Sequence, residues 1–272
     1  MSTVTAASVL AIGLYLAATG LLVTPWFRLE QQEVSAGFRW PAGTLMLLGL
    51  IAHSFALRQA IVLDSVLNLS IISVGSLTSW AAVFMLFLAS LARPLQNLGI
   101  AVLPVAALTI LLGWLMPGEP VLSRPMTTPQ SLHIIVSLLA YSLIFLATIQ
   151  SILLLLQEKH LRQHQPGGFI RALPPMETME YLMFWLIYVG LGLLTLTVIS
   201  GVFFSETLFG KPLKFTHHTV LSIASWVIFS ILVAGHWWFG WRGRTAVRWT
   251  LIGFLLLILA YFGSKFVFEV LR

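Results

Sequence analysis

The chain has 272 residues, of which 58% are apolar and only 9% charged, with a formal net charge of +6. A soluble domain carries about 25% charged residues, so this supply cannot cover a water-facing surface, and lipid is the natural solvent. Cysteine is absent, which excludes disulfides, thiolate metal ligands and covalent haem attachment through C-x-x-C-H, and leaves histidine, methionine or carboxylate to hold any metal or haem.

A spanning helix needs about 20 apolar residues, and by that measure the chain is an all-α, polytopic membrane helix bundle with about eight transmembrane helices. The first span covers 3–25 and stops at Pro25. No basic segment precedes its apolar run and no small-residue cleavage site follows, so it reads as a retained span and not as a removable signal. Residues 1–38 are this helix and its connecting loop, and 39–272 form the main membrane domain. The further spans are predicted at 40–57, 66–91, 98–116, 130–156, 181–205, 217–239 and 246–269, separated by loops too short for a soluble domain.

The basic residues lie in these loops, where they orient the chain and meet anionic head groups; they do not point to nucleic acid. Loops after odd-numbered spans carry nine Lys and Arg, and the other side carries six. The bias puts odd loops in the cytoplasm and both termini outside. Trp26, Trp40, Trp185, Trp237, Trp238, Trp241 and Trp249 all fall at the same, cytoplasmic ends, as indoles seeking head-group depth do.

The longest cytoplasmic loop runs from Gln157 to Met179. Glu177 and Glu180, three apart at a helix start, read either as a capping and dipole device or as a docking surface. His160 and His164 have metal-ligand spacing on a helix, but they stand beside Lys159 and Arg162 without a third ligand and read as solvated.

The remaining histidines sort by depth. His53 lies near the outer end of the second span, His133 just inside the fifth behind Thr128 as N-cap and Pro129, and His217 and His218 open the seventh. A helix N-terminus favours an uncharged imidazole that keeps a lone pair to donate. Lys211 and Lys214, just before His217, suit two carboxylates such as haem propionates. Each histidine alone also reads as an interfacial polar anchor, and spacing does not show whether these spans are neighbours. His236 lies about 28 Å along the helix from His217 and belongs to a second, inner site or to none. No Ser-His-Asp set, Gly-rich phosphate loop or buried carboxylate pair is visible, so the chain is not read as an enzyme.

Three segments resemble the cytochrome c assembly proteins of the CcsA/CcmC haem-handling superfamily, and within it the YpjD-type branch of bacterial inner-membrane proteins. They are LHIIVSLLAYSLIFLATIQSILLLLQEKHLR (132–162), LPPMETMEYLMFWLIYVGLGLLTLTVISGVFF (173–204) and GWRGRTAVRWTLIGFLLLILAYFGSKF (240–266). The resemblance implies a multi-pass protein of the bacterial cytoplasmic membrane that handles haem b non-covalently and presents it outside. It implies His133 as an outer axial ligand and His236 as the intramembrane histidine near the cytoplasmic end. Its partners would be the lipid bilayer, haem, and another cytochrome c maturation or transporter membrane subunit.

The chain departs from the family in two places. The tryptophan-rich outer loop, expected between Phe204 and Val220, reads FSETLFGKPLKFTHHT. The second outer histidine, expected just after Tyr261-Phe262-Gly263, has no counterpart before Arg272. Either His217 or His218 replaces that ligand, or the branch keeps the scaffold without haem delivery. In the second case the chain is a transporter or transporter accessory subunit, with His53, His133 and His217 as a transient divalent-cation site. A third reading is a structural subunit whose loops dock a partner.

Overall fold

The computed structural model describes residues 3–27, 39–63, 66–68, 70–116, 122–123, 127–163, 173–203 and 217–263. Among them are eight long helices: α1 (Thr3–Phe27), α2 (Trp40–Ile61), α3 (Ile71–Ala92), α4 (Gly99–Leu115), α5 (Thr128–Arg162), α6 (Met176–Phe203), α7 (His217–Phe239) and α8 (Gly243–Ile258). A 3-10 turn, Gln96–Leu98, leads into α4, and a π turn, Leu259–Gly263, continues α8. Each of the eight, taken with these turns, is long and apolar enough to cross a membrane. The fold is therefore the all-α polytopic bundle that composition demands.

The ends of the spans shift for local reasons. The third was expected from residue 66, but Val66–Asn68 is a strand, β2. It pairs antiparallel with β1 (Val62–Leu63) on one side and β3 (Leu122–Ser123) on the other, with Leu67 opposite Val62 and Ser123. The helix then starts behind Ser70, whose Oγ accepts the Ser73 N–H at 3.3 Å, an N-cap that satisfies one of the first turn's orphan donors. The fifth span was expected to end at 156, and α5 runs on to Arg162. Its 35 residues make about 52 Å of helix, well beyond the ~30 Å hydrocarbon layer. The added turns are good helix formers, tied by a Glu158–Arg162 pair at 2.8 Å, four residues apart. α6 begins at Met176, five residues earlier than expected.

The chain forms two compact units. The first comprises Met1–Arg124 and Leu156–Met179. Here α1 packs on α2 and α4, and α3 packs on both α2 and α4. Tyr15 is fully buried against Gly49, where an added Cβ would lie 2.6 Å from its ring. Leu22 sits similarly against Gly99, at 2.7 Å. In lipid, small residues of this kind let helices approach, because apolar surface alone offers no drive to associate. Pro25 has no N–H to give the Leu21 carbonyl four residues earlier. That carbonyl instead accepts from Arg39 Nη2 at 2.6 Å and Thr24 Oγ1 at 2.8 Å. The oxygen left without its helical donor thus regains partners.

The second unit comprises Pro125–Leu155 and Glu180–Arg272. α7 and α8 are joined through Gly240–Arg242 and pack together. Phe229 lies on Gly253, whose added Cβ would stand 2.7 Å from the ring, and Ser225 Oγ donates to the Gly253 carbonyl at 2.8 Å. Ile144 of α5 fits against Gly190 of α6 in the same manner. The α7–α8 turn needs a left-handed backbone at Gly240 (φ 65°) and Gly243 (φ 53°), which glycine adopts without steric cost. Glu180 ties this turn to α6. Its Oε2 accepts the Gly243 N–H at 3.1 Å, and its Oε1 lies 3.7 Å from Arg242 Nε. The carboxylate read as a cap at its own helix start instead caps the first residue of α8, while Glu177 remains in the first turn of α6.

Candidate functional site

The histidines of the second unit gather at the two ends of α7. At one end, α5 places His133. The helix starts at Thr128, so the cap position falls on Thr127 and not, as expected, on Thr128. The Gln130 side chain reaches back to accept the Thr127 N–H at 2.9 Å, one half of a capping box. One and a half turns further in, the half-buried His133 ring lies beside α6. Its Nδ1 is 2.7 Å from Ser200 Oγ, and Ser200 Oγ is 3.0 Å from the Thr197 carbonyl of its own helix. Gly201 gives the ring room, since an added methyl would just touch its Cε1 at 3.5 Å.

His218 lies in the first turn of α7. The π turn of α8 presents Tyr261 to His218, ring centroids 6.2 Å apart and edge to face. A π turn carries one residue more than an α turn and re-aims its side chains, which is why such turns recur at functional sites. Phe262, next in that turn, meets Tyr141 of α5 at 6.0 Å, and Tyr141 also meets Phe254 at 5.7 Å. Four helices of one unit thus supply two imidazoles, a hydroxyl that holds one of them, and an aromatic bed. His217 and His218 are both exposed, but His217 makes no side-chain hydrogen bond or ring contact among the described residues. Of the adjacent pair, it is His218 whose ring meets the Tyr261 of the α8 turn.

At the other end of α7, His236 Nδ1 is 2.8 Å from the Trp241 carbonyl. A carbonyl only accepts, so Nδ1 carries the hydrogen and the neutral ring has its lone pair on Nε2. Phe184 stacks on the ring with centroids 3.7 Å apart, and Tyr188 lies at 6.4 Å. Trp241 is folded back onto Gly235, donating its N–H to the Gly235 carbonyl at 3.1 Å. Its ring covers the face where any Cβ on Gly235 would stand. Beyond it, Trp237 and Trp238 are 69% and 77% exposed, which suits an interfacial belt and not a packed core.

His53 belongs to the first unit and is fully buried. Its Nδ1 meets the Tyr15 hydroxyl at 3.3 Å and its Nε2 meets Ser76 Oγ at 2.9 Å. Both nitrogens are thus engaged in core hydrogen bonds. His160, half-buried, turns Nδ1 to the Leu156 carbonyl of its own helix at 2.9 Å. Lys211, Lys214 and His164 lie outside the described residues. Among the described residues no group of three or more His, Asp or Glu side chains is arranged to hold a metal ion, so the divalent-cation alternative finds no supporting cluster there.

The features that the sequence reading missed are hydroxyl and main-chain partners. Ser200 was hidden in the apolar run VISGVF. Its signal is a hydroxyl beside a glycine within a span, the place where another helix's polar side chain fits.

These features define the class: a multi-pass membrane protein with eight helices long and apolar enough to cross a bilayer and histidines at both ends of α7. The sequence profile of the cytochrome C assembly protein family matches residues 42–272, and the chain belongs to that family. It is 32% identical over 242 residues to the inner membrane protein YpjD of Escherichia coli (strain K12), covering 86% of this chain and 89% of that one. It is 23% identical over 131 residues to Protein HemX of Brevibacillus brevis, covering 48% of each. It is 22% identical over 138 residues to the cytochrome c biogenesis protein CcsA of Chlamydomonas reinhardtii, covering 51% of this chain and 38% of that one. No solved structure matches.

Proposed function

We propose that the protein binds haem b non-covalently and holds it at the outer face of the membrane between His133 and His218, with His236 as a second, inner point of ligation. The observation that carries this reading is that one unit holds both His133, fixed by Ser200 of α6, and His218, set edge to face with Tyr261. The donor set fits haem iron, which takes neutral imidazole nitrogens as axial ligands. His236 is held with its lone pair on Nε2, and aromatic rings lie beside both ends of α7. Family membership and the relatives named for cytochrome c biogenesis support the same direction.

In this reading haem is cargo. The chain's own groups bind and orient it, no protein group makes or breaks a bond, and the protein is not an enzyme. Lys211 and Lys214 supply positive charge for the propionates, an assignment resting on their place in the sequence. The excess of Lys and Arg in odd-numbered loops supports the orientation, with both termini and the His133 end outside and His236 near the cytoplasm. A second membrane subunit of a maturation or transport system would take the haem onward.

The test is the visible spectrum of the purified protein in detergent, oxidised and then reduced. A Soret band with sharp reduced α and β bands is expected of haem with two imidazole ligands. A flat spectrum that persists after haem is added would overturn the proposal and favour a scaffold that has lost haem.

A further inference from the structure

We infer that Ser200 is the positioning residue of the outer site: it holds His133 as the tautomer protonated on Nδ1 and so turns the Nε2 lone pair to the ligand. The inference rests on the proposed role of His133 in holding haem, but its first test needs no haem.

The argument is one of hydrogen counting. Ser200 Oγ has two close partners, the Thr197 carbonyl at 3.0 Å and His133 Nδ1 at 2.7 Å. A serine hydroxyl has a single hydrogen and two lone pairs, and a carbonyl oxygen has no hydrogen to give. The contact with Thr197 therefore uses the hydroxyl hydrogen. Toward His133, Ser200 can then only accept, so Nδ1 must carry the N–H and the lone pair of the neutral ring lies on Nε2. Metal-bound histidines are held in this way, with the second ring N–H given to an acceptor that fixes tautomer and ring orientation.

The contrast with the inner histidine sharpens the point. His236 has its tautomer set by the Trp241 carbonyl, a main-chain atom that no side-chain substitution removes. The Nδ1 hydrogen of His133 is met by a side-chain oxygen, which a substitution can remove. The outer site is thus the one whose tautomer-setting acceptor is itself a side-chain atom.

The experiment is nitrogen–proton correlation spectroscopy of full-length protein with 15N-labelled histidine, in nanodiscs and without haem. His133→Ala assigns the signal. The wild type is expected to show His133 protonated on Nδ1. Ser200→Ala is expected to shift it to a mixture containing the Nε2-protonated form, Ser200→Thr to restore the wild-type pattern, and the His236 signal to stay put in all three as the marker of an intact fold. A wild-type His133 protonated on Nε2 overturns the inference, even if Ser200→Ala does not fold. So does an unchanged tautomer in a folded Ser200→Ala protein.

Haem titration of the same proteins separates this inference from the reading it rests on. Ser200→Ala is expected to weaken haem binding about tenfold, the lower range for loss of a ligand's hydrogen-bond partner. If wild type carries the Nδ1 hydrogen but takes no haem, the haem proposal falls and the assignment to Ser200 stands. If haem binds equally with and without the Ser200 hydroxyl and the tautomer is Nε2-protonated, the reverse holds.

Discussion

The carbonyl of Trp241 lies 2.8 Å from Nδ1 of His236, so the turn after α7 reaches back and sets the donor atom of a histidine inside it. That turn is held by Trp241 seated on Gly235. Gly235→Ala puts a methyl where the indole lies. We expect it to cost about 1–3 kcal/mol, as overpacking does, and to release the His236 N–H. Thermal unfolding in detergent reads the first effect and the His236 nitrogen signal reads the second. An unchanged signal would mean that the turn does not control His236.

The Tyr15–His53–Ser76 set makes a different prediction. Removing one partner of a buried polar group costs about 1–3 kcal/mol. Ser76→Ala, which leaves His53 Nε2 without its hydroxyl, is expected to lower thermal stability by that order while leaving haem retention as in wild type. Loss of haem from Ser76→Ala equal to that from His133→Ala would place His53 in the ligand set.

Arg39 and Pro25 are coupled through one carbonyl. Arg39→Ala is expected to cost about 1–3 kcal/mol by leaving the Leu21 oxygen short of a donor. In a Pro25→Ala background the backbone N–H returns and the cost should shrink. Equal costs in the two backgrounds, measured as a double-mutant cycle, would show that Pro25 does not create the vacancy that Arg39 fills.

The two adjacent histidines of α7 should differ. His218→Ala and His133→Ala are each expected to abolish the sharp reduced spectrum of two-imidazole haem. His217→Ala and His160→Ala should leave it intact. A spectrum lost with His217→Ala and kept with His218→Ala would reverse the assignment.

Topology has its own readout. A reporter that is active only outside the cytoplasm, fused after Arg272, is expected to be active. A cytoplasmic result would invert the sheet of loops on which the outer site depends and place His133 and His218 on the inner side.

Much of the architecture was legible in the residues alone. A chain with this little charge has to bury its backbone polar groups in helices, because lipid offers them no partners, and eight apolar runs therefore meant eight helices. The boundaries that moved did so where apolarity and helicity part company. Val66 and Leu67 are apolar enough for a span yet form a ladder with residues 62–63 and 122–123. The stretch from Gln157 to Arg162 is too polar for lipid yet helical enough to extend α5. Depth along each helix was legible too, since 1.5 Å per residue already separated His236 from His217 and His218.

Tertiary structure decided everything that depends on which helices are neighbours and how each is rotated about its axis. One residue turns a helix by about 100°, so His217 and His218 point apart, and only packing could select the one that meets Tyr261. The same holds for His53, whose hydroxyl partners come from residues 15 and 76, far from it in the chain, and for Ser200 beside His133. Sequence determined which side chains exist and how deep each lies. The fold determined which of them meet, because in a membrane those meetings are set by where small residues let helices close up and by which polar atoms must find a partner away from water.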